Sequence, residues 1–132
     1  MKPVLIFTIL FATSFAFAND RRCFELEYNL MQEKVMGKTQ AEELPSNIRN
    51  RTQFKAHIND ISGGALSYHG VCGLTFEEIM DAEDCYQDIL NVLAGGNRLL
   101  VPKNTVTDYN FNLFLKQVSG GGVSVTDTKC EK

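Results

Sequence analysis

The chain has 132 residues, with 13 Lys plus Arg against 16 Asp plus Glu, two His, four Cys and no Trp. This length fits one domain and leaves little room for two. No cluster of Lys or Arg dominates and the formal net charge is -3, so a function in binding nucleic acid lacks its main electrostatic requirement.

Residues 1–18 have the features of a signal peptide. One positive residue precedes an apolar run, 4–17, and the small residues Ala16 and Ala18 lie three and one positions before a possible cleavage site. As a helix the run would measure about 21 Å, which is shorter than the roughly 30 Å of a bilayer core. We therefore expect export to the periplasm or the extracellular space of a bacterium, with residues 19–132 as a single domain that has no membrane span.

The first predicted element of the mature chain is a strand over residues 24–30. These residues alternate between apolar and polar without a break, which places the apolar side chains on one side of a half-buried strand. A helix is the alternative, since Leu26, Leu30 and Met31 also lie near one another at a spacing of 3.6 residues per turn.

Residues 52–72 predict a β-hairpin. Two alternating runs flank a loop at 62–64 that contains two glycines, and glycine supplies the positive φ that a tight connection needs. A three-residue loop places the apolar side chains on one face, whereas a two-residue loop mixes apolar and polar side chains on both faces. The three-residue loop also places His57 directly opposite His69.

The longest predicted element is a helix over residues 76–94. Thr75 and Glu78 have the capping-box spacing at its start, and Gly95 and Gly96 mark its end. The apolar positions cover a wide arc of this helix, which is typical of a helix that lies on a sheet.

Three further strands are predicted after this helix. Residues 98–101 are stopped by a proline, residues 107–118 contain an alternating run, and residues 123–125 follow three glycines. For 107–118 the alternative is a helix that is capped by Asp108 and stopped at Gly120. Together the elements predict an α+β fold, in which an antiparallel sheet of five or six strands carries the long helix on one face.

The four cysteines predict two disulfide bonds, because an even number of cysteines in an exported chain meets an oxidising compartment. Cys72 and Cys85 would lie too far apart if the helix doubles back over the strand before it. Two pairings remain open: Cys23 with Cys72 and Cys85 with Cys130, or Cys23 with Cys85 and Cys72 with Cys130.

The predicted neighbours His57 and His69 are a candidate metal site. Cross-strand Cβ atoms are separated by about 4.5–5.5 Å, so two imidazoles could share a metal ion. The neighbouring residues on that face offer no strong third ligand for zinc, so a metal would need a carboxylate from elsewhere. A small exported enzyme or metal-binding protein centred on this pair is the alternative function. The sequence assigns no catalytic residue and no cofactor, which favours a binding protein over an enzyme.

The predicted helix over 76–94 carries a row of acidic residues, and no Lys or Arg lies between Thr75 and Asn97. Each pair of like charges at a spacing of three or four residues destabilises a helix by a few tenths of a kcal/mol, so the row does not stabilise the helix. The leading hypothesis is a small exported binding module of unknown ligand. Its contact surface is either this acidic face, which would engage a basic partner, or the glycine-rich loops of the predicted hairpin. The row consists of Glu77, Asp81, Asp84 and Asp88.

Overall fold

The computed structural model of the chain describes residues 20–132, and this range contains helices and loops but no β-strand. The predicted α+β fold with an antiparallel sheet of five or six strands is therefore wrong. The predicted signal peptide lies outside the described residues. The described helices are α1 (Asp20–Leu30), a π-helical turn directly after it (Met31–Val35), α2 (Arg51–Ile61), α3 (Phe76–Ala94) and α4 (Asp108–Ser119).

The chain divides into two compact units, Met1–Tyr68 and His69–Lys132. The described part of the first unit contains α1, the π-helical turn, α2 and the loops around them. The second unit contains α3, α4 and the C-terminal residues. That residues 19–132 form a single domain stays a prediction, and each unit is described by itself.

The alternating stretch 24–30 belongs to helix α1 and is not a strand. A stretch that alternates between apolar and polar residues also contains apolar residues four positions apart, and residues i and i+4 share one face of a helix. Phe24 and Tyr28 are one such pair and are buried, whereas Leu26 and Leu30 are the other and are each 50% exposed. The helical alternative is therefore confirmed, but the face on which it was argued, with Leu26 and Leu30, is the exposed face of the helix.

The predicted hairpin over 52–72 is wrong, because its first half is helix α2. Asn50 starts this helix: its side chain accepts a hydrogen bond from the N–H of Gln53, and the Gln53 side chain caps the backbone of Asn50 in return. Gly63 and Gly64 end the helix, since both have positive φ and their N–H groups donate to carbonyls of the last helical turn. The glycines that predicted a hairpin loop therefore form a helix C-terminus.

Aromatic side chains form the core of the first unit. The ring centroids of Phe24 and Phe54 lie 4.8 Å apart, and Tyr68 meets Phe54 edge-on at the same distance. Tyr28 and Ile58, one turn further along their helices, are also buried. Helices α1 and α2 thus pack against each other through the rings of Phe24 and Phe54.

Two polar side chains hold the loop between α1 and α2. The Arg21 guanidinium donates to three main-chain carbonyls within 44–48, at 2.6 to 2.8 Å. The amide of the buried Gln32 exchanges two hydrogen bonds with the main chain of Glu42, at 2.9 and 3.0 Å. Because main-chain polar groups removed from water need partners, these bonds determine where the loop lies.

Helix α3 confirms the predicted bounds of 76–94 and the predicted capping box of Thr75 and Glu78. Ala82, Tyr86 and Leu90, spaced by four residues, form its buried row. The centre of the apolar arc packs against α4 and the C-terminal residues instead of against a sheet, whereas Phe76 and Val92 at its edges are exposed.

The predicted strand over 107–118 is wrong and its helical alternative is right, since these residues form helix α4. Thr107, one residue earlier than the cap expected for that helix, accepts a hydrogen bond from the first turn. Gly120 ends the helix with φ at 68°, a conformation that glycine adopts without strain. Phe111 and Leu115, four residues apart, are buried.

The short predicted strands 98–101 and 123–125 are also wrong, because side-chain amides from the helices bind these segments and no neighbouring strand does. Asn112 of α4 accepts from the N–H of Val125 and donates to its carbonyl, both at 2.8 Å. Gln87 of α3 binds the main chain of the earlier segment in the same two-sided way. Each amide therefore satisfies main-chain groups that a sheet would have paired.

Candidate functional site

The four predicted partner-binding residues all lie on the solvent-exposed side of α3. We call Glu77, Asp81, Asp84 and Asp88 the acidic strip. None of the four forms an ion pair with any of the residues 20–132. The strip is thus a row of carboxylates whose charge is balanced by no side chain in the part of the chain that the structure describes.

The two remaining acidic residues of α3 have structural roles that the strip lacks. Glu78 accepts the N–H of Thr75 at 2.9 Å in the capping box. Glu83 accepts the N–H of Asn104 and so joins the helix to the following loop. These contacts explain the presence of Glu78 and Glu83. The acidic strip consists of the remaining acidic residues of α3, which make no such contact among residues 20–132.

Apolar side chains flank the acidic strip. Phe76, the first residue of the helix, is 70% exposed, and Met80, one turn later, is 43% exposed. On the other flank, near the end of the helix, Val92 is 82% exposed. At 100° per residue the strip lies between these flanks, so a partner on the carboxylates would also meet apolar surface.

The structure places the two predicted metal ligands in separate surroundings, without the hairpin that paired them. His57 lies on α2, where its Nε2 is 3.3 Å from the hydroxyl of Tyr28. His69 stacks on the ring of Tyr109 with 4.4 Å between centroids. Among residues 20–132 no group of three His, Cys, Asp or Glu side chains could hold a metal ion. The cross-strand geometry behind the predicted metal site is therefore absent.

The disulfide prediction is confirmed for all four cysteines. Cys85 of α3 is bonded to Cys130, with Cα atoms 5.6 Å apart, and Cys23 and Cys72 are disulfide-bonded as well. This is the first of the two pairings that the sequence left open. The predicted exclusion of a Cys72–Cys85 bond is right, although the strand on which it was argued does not exist.

A polar network beside the Cys85–Cys130 disulfide secures the C-terminal residues. Tyr86 donates its hydroxyl proton to the Asp108 carboxylate at 2.7 Å, and Thr128 donates to the same carboxylate from its hydroxyl and its N–H. Burial acts to raise the pKa of Asp108, but the hydrogen bonds from Thr128 and Tyr86 lower it further than burial raises it. Burial and the bond to Asp108 raise the pKa of Tyr86. These hydrogen bonds favour the ionised form of Asp108, and this carboxylate binds Thr128 near the C-terminus to helix α4.

Sequence reasoning missed a groove in the second unit, between α4 and residues 121–126. The groove has a volume of about 320 Å³, and its α4 wall is formed by Tyr109, Asn112, Leu113 and Lys116. These four positions follow the spacing i, i+3, i+4 and i+7 of one helix face. The signal is visible in the sequence only when the segment is interpreted as a helix.

Comparisons of the chain with protein-family models, with curated proteins and with solved structures find no match. Within residues 20–132, no helix has both the length and the apolar character needed to cross a bilayer.

Proposed function

We propose that this protein is an exported binding module that engages a basic partner through the acidic strip of α3. The observation that carries the proposal is the set of four exposed carboxylates on one helix face that no cation among residues 20–132 compensates. The flanking Phe76 and Met80 supply apolar surface next to the charge. A partner that combines Lys or Arg with apolar side chains fits this surface.

The electrostatic cost of the strip supports a role outside folding. Carboxylates in the first helical turn interact favourably with the helix dipole, but Asp84 and Asp88 lie beyond the first turn. Their repulsion at i, i+4 opposes the helix by a few tenths of a kcal/mol. A row of one charge sign accelerates association with a partner of opposite sign and excludes partners of the same sign.

Export is supported by the disulfide bonds together with the features of residues 1–18. Disulfides persist in oxidising compartments and are rare in the reducing cytosol. The chain carries four cysteines and all of them are bonded. A binding protein of this size that works outside the cytoplasm gains stability from such bonds.

The proposal can be tested with a synthetic amphipathic peptide of Lys and Leu, and with the same peptide carrying Glu for Lys. Isothermal titration calorimetry should detect binding of the Lys peptide alone. The triple variant Asp81→Asn, Asp84→Asn, Asp88→Asn should weaken its Kd by about tenfold, because three unpaired charges are removed. High ionic strength should weaken binding to the wild type more than binding to the variant.

The matched control removes three carboxylates of the first unit that are also exposed. Glu33→Gln, Glu43→Gln, Asp60→Asn changes the net charge by the same amount without touching the strip, because these exposed residues form no ion pair among residues 20–132. This control should leave the Kd within about twofold of the wild type. Equal losses in both triple variants would show a general charge effect and refute a specific acidic surface.

A pull-down from the cell envelope identifies the natural partner. The wild-type protein, the Asp81, Asp84, Asp88 variant and the control variant are used side by side as baits. A protein that the wild type retains, the strip variant loses and the control variant keeps should be basic. A partner that binds all three baits equally would have to use another surface.

A further inference from the structure

The groove between α4 and residues 121–126 belongs to the second unit and contains no residue of the acidic strip. Its volume of about 320 Å³ falls in the range of sites that bind small ligands.

The aromatic end of the groove is preorganised. Tyr109 is 55% exposed, yet its ring is stacked on His69 at 4.4 Å with only 14° between the ring planes. The main chain of His69 is held in turn, because its carbonyl accepts from the Asn110 amide at 3.0 Å. An exposed ring supported on one face loses little further freedom when a ligand covers it.

The opposite wall is fixed to α4 by side chains. Asn112 binds both main-chain groups of Val125 at 2.8 Å, and the N–H of Val123 donates to the Ser119 hydroxyl at 3.2 Å. Val123 and Val125 also pack against the core of the unit. The groove therefore does not depend on a ligand to form.

The lining combines mostly apolar surface with a single charge. Tyr109 and Leu113 are apolar and exposed, and Lys116 is the one ionised side chain in the lining. Lys116 forms no ion pair with any of the residues 20–132. Seven residues along a helix correspond to about 10 Å, so the aromatic ring and the ammonium lie towards opposite ends of the groove.

We propose that this groove binds an extended peptide segment that carries an apolar side chain and, two residues away, a carboxylate. Alternate side chains of an extended peptide share one face and lie about 7 Å apart, and the flexible stem of Lys116 covers the remaining distance. The apolar side chain covers Tyr109 and Leu113 while the carboxylate pairs with Lys116. The mostly apolar lining favours a peptide over a saccharide, whose hydroxyl groups would need more polar partners.

The test uses the peptides acetyl-Phe-Ala-Asp-amide and acetyl-Phe-Ala-Asn-amide, titrated into the full-length, oxidised protein and followed by NMR. Chemical-shift changes should concentrate in residues 109–116 and 121–126. The Asp peptide should bind about threefold more tightly than the Asn peptide, as expected for one exposed charge pair. Changes centred on other residues would overturn the proposal.

Variants assign the two contacts. Lys116→Gln should abolish the preference for the Asp peptide, whereas Lys103→Gln, an exposed lysine outside the groove, should retain it. Tyr109→Ala should weaken both peptides by about tenfold, as is typical of a central aromatic contact, and Tyr109→Phe should leave both unchanged. A preference that survives Lys116→Gln, or binding that survives Tyr109→Ala, would refute the proposed contacts.

Two other occupants are separate outcomes of the same experiment. If N-acetylmuramic acid shifts these resonances and the peptides do not, the groove is a saccharide site and the proposal fails. If the protein self-associates and Lys116→Gln restores the monomer, the occupant is a second copy and the proposal also fails. Because the acidic-strip variant leaves the groove intact, it should bind the Asp peptide like the wild type, so this inference and the proposed function can fail independently.

Discussion

The loop of the first unit and the C-terminal residues of the second unit are held in place by different chemistry. In the described part of the first unit, Arg21 and Gln32 bind the loop between the helices through hydrogen bonds to main chain. In the second unit, the Cys85–Cys130 disulfide and a network around Asp108 bind the C-terminal residues. The contacts of Arg21 and Gln32 depend on neutral main-chain acceptors, whereas the C-terminal residues depend on the Cys85–Cys130 disulfide and on an ionised carboxylate. The two arrangements should therefore respond differently to mutation and to acid, whereas reductant also opens the disulfide at Cys23 of the first unit.

The largest effect is expected in the aromatic core of the first unit. Phe54→Ala removes the ring that contacts both Phe24 and Tyr68. The lost burial and the cavity left behind should lower the free energy of unfolding by about 3–5 kcal/mol. Urea denaturation measures this loss, and amide hydrogen exchange should rise first within residues 20–68.

The control for this prediction is the same substitution at an exposed position. Phe76→Ala removes an equal volume from a side chain that is 70% exposed, so it should change the free energy of unfolding by less than about 0.5 kcal/mol. Similar losses from both variants would mean that Phe54 is not the centre of a packed core.

The next largest effect is expected from the disulfide of the second unit. Cys85→Ala with Cys130→Ala opens a link between residues 45 positions apart in sequence. A closed loop of this length restricts the unfolded chain, so the double variant should lose about 2–4 kcal/mol of unfolding free energy. Thermal unfolding of the variant and of the wild type, both oxidised, provides the measurement, because reductant would also open the bond of Cys23 and Cys72. In the double variant only the Asp108 network still holds the C-terminal residues, so their amide exchange should be faster while helix α4 remains. Loss of α4 would mean that the disulfide is needed for folding.

A smaller effect is expected for the loop of the first unit. Arg21→Ala leaves three main-chain carbonyls within 44–48 without their charged donor, which should cost about 2 kcal/mol of unfolding free energy. Its neighbour Arg22 is exposed, so Arg22→Ala should cost less than about 0.5 kcal/mol. Chemical denaturation of the two variants compares them directly. Equal costs would assign the effect to net charge instead of to hydrogen bonding with the loop.

The sequence predicted one helix with correct bounds and misassigned the other three, for a shared physical reason. The capping box at Thr75 and the long apolar arc of α3 are signals that a strand does not produce. The shorter helices have only two buried apolar residues per face, such as Phe24 and Tyr28. Over so few residues a period of 3.6 and a period of two share most of their apolar positions, so periodicity cannot separate them.

Capping residues contained information that the periodicity lacked. Asn50 and Gln53 have the spacing of a capping box, and this pair starts α2 in the structure. Thr107 and Gly120 likewise bracket α4. Giving these caps more weight than alternation would have predicted both helices. The acidic strip could be predicted from the sequence because its location depends only on α3. The groove between α4 and residues 121–126 could not, because it requires α4 and a C-terminal segment whose position depends on side-chain amides.

The smallest effect is a pH dependence that belongs to the second unit. Burial raises the pKa of Asp108, but the hydrogen bonds from Thr128 and Tyr86 lower it below its ordinary value. A carboxyl with a lower pKa in the folded state stabilises the fold above its unfolded pKa and loses this contribution as the pH falls through the folded pKa. The free energy of unfolding of the wild type should therefore decrease between about pH 5 and pH 3.

Two variants connect this decrease to the network. Asp108→Asn should make the pH dependence shallower, with the Glu42 carboxyl, whose pKa the hydrogen bond from Lys38 lowers, contributing to the slope that remains. Asp127→Asn, at an exposed carboxylate paired with Lys129, should leave the slope close to that of the wild type. Tyr86→Phe removes one of the donors that lower the pKa of Asp108, so NMR titration of the Asp108 carboxyl should show a higher pKa in this variant. An unchanged carboxyl pKa would mean that Thr128 stabilises the ionised form without help from Tyr86. A wild-type curve with the same slope as that of Asp108→Asn would remove the contrast in acid response between the two units.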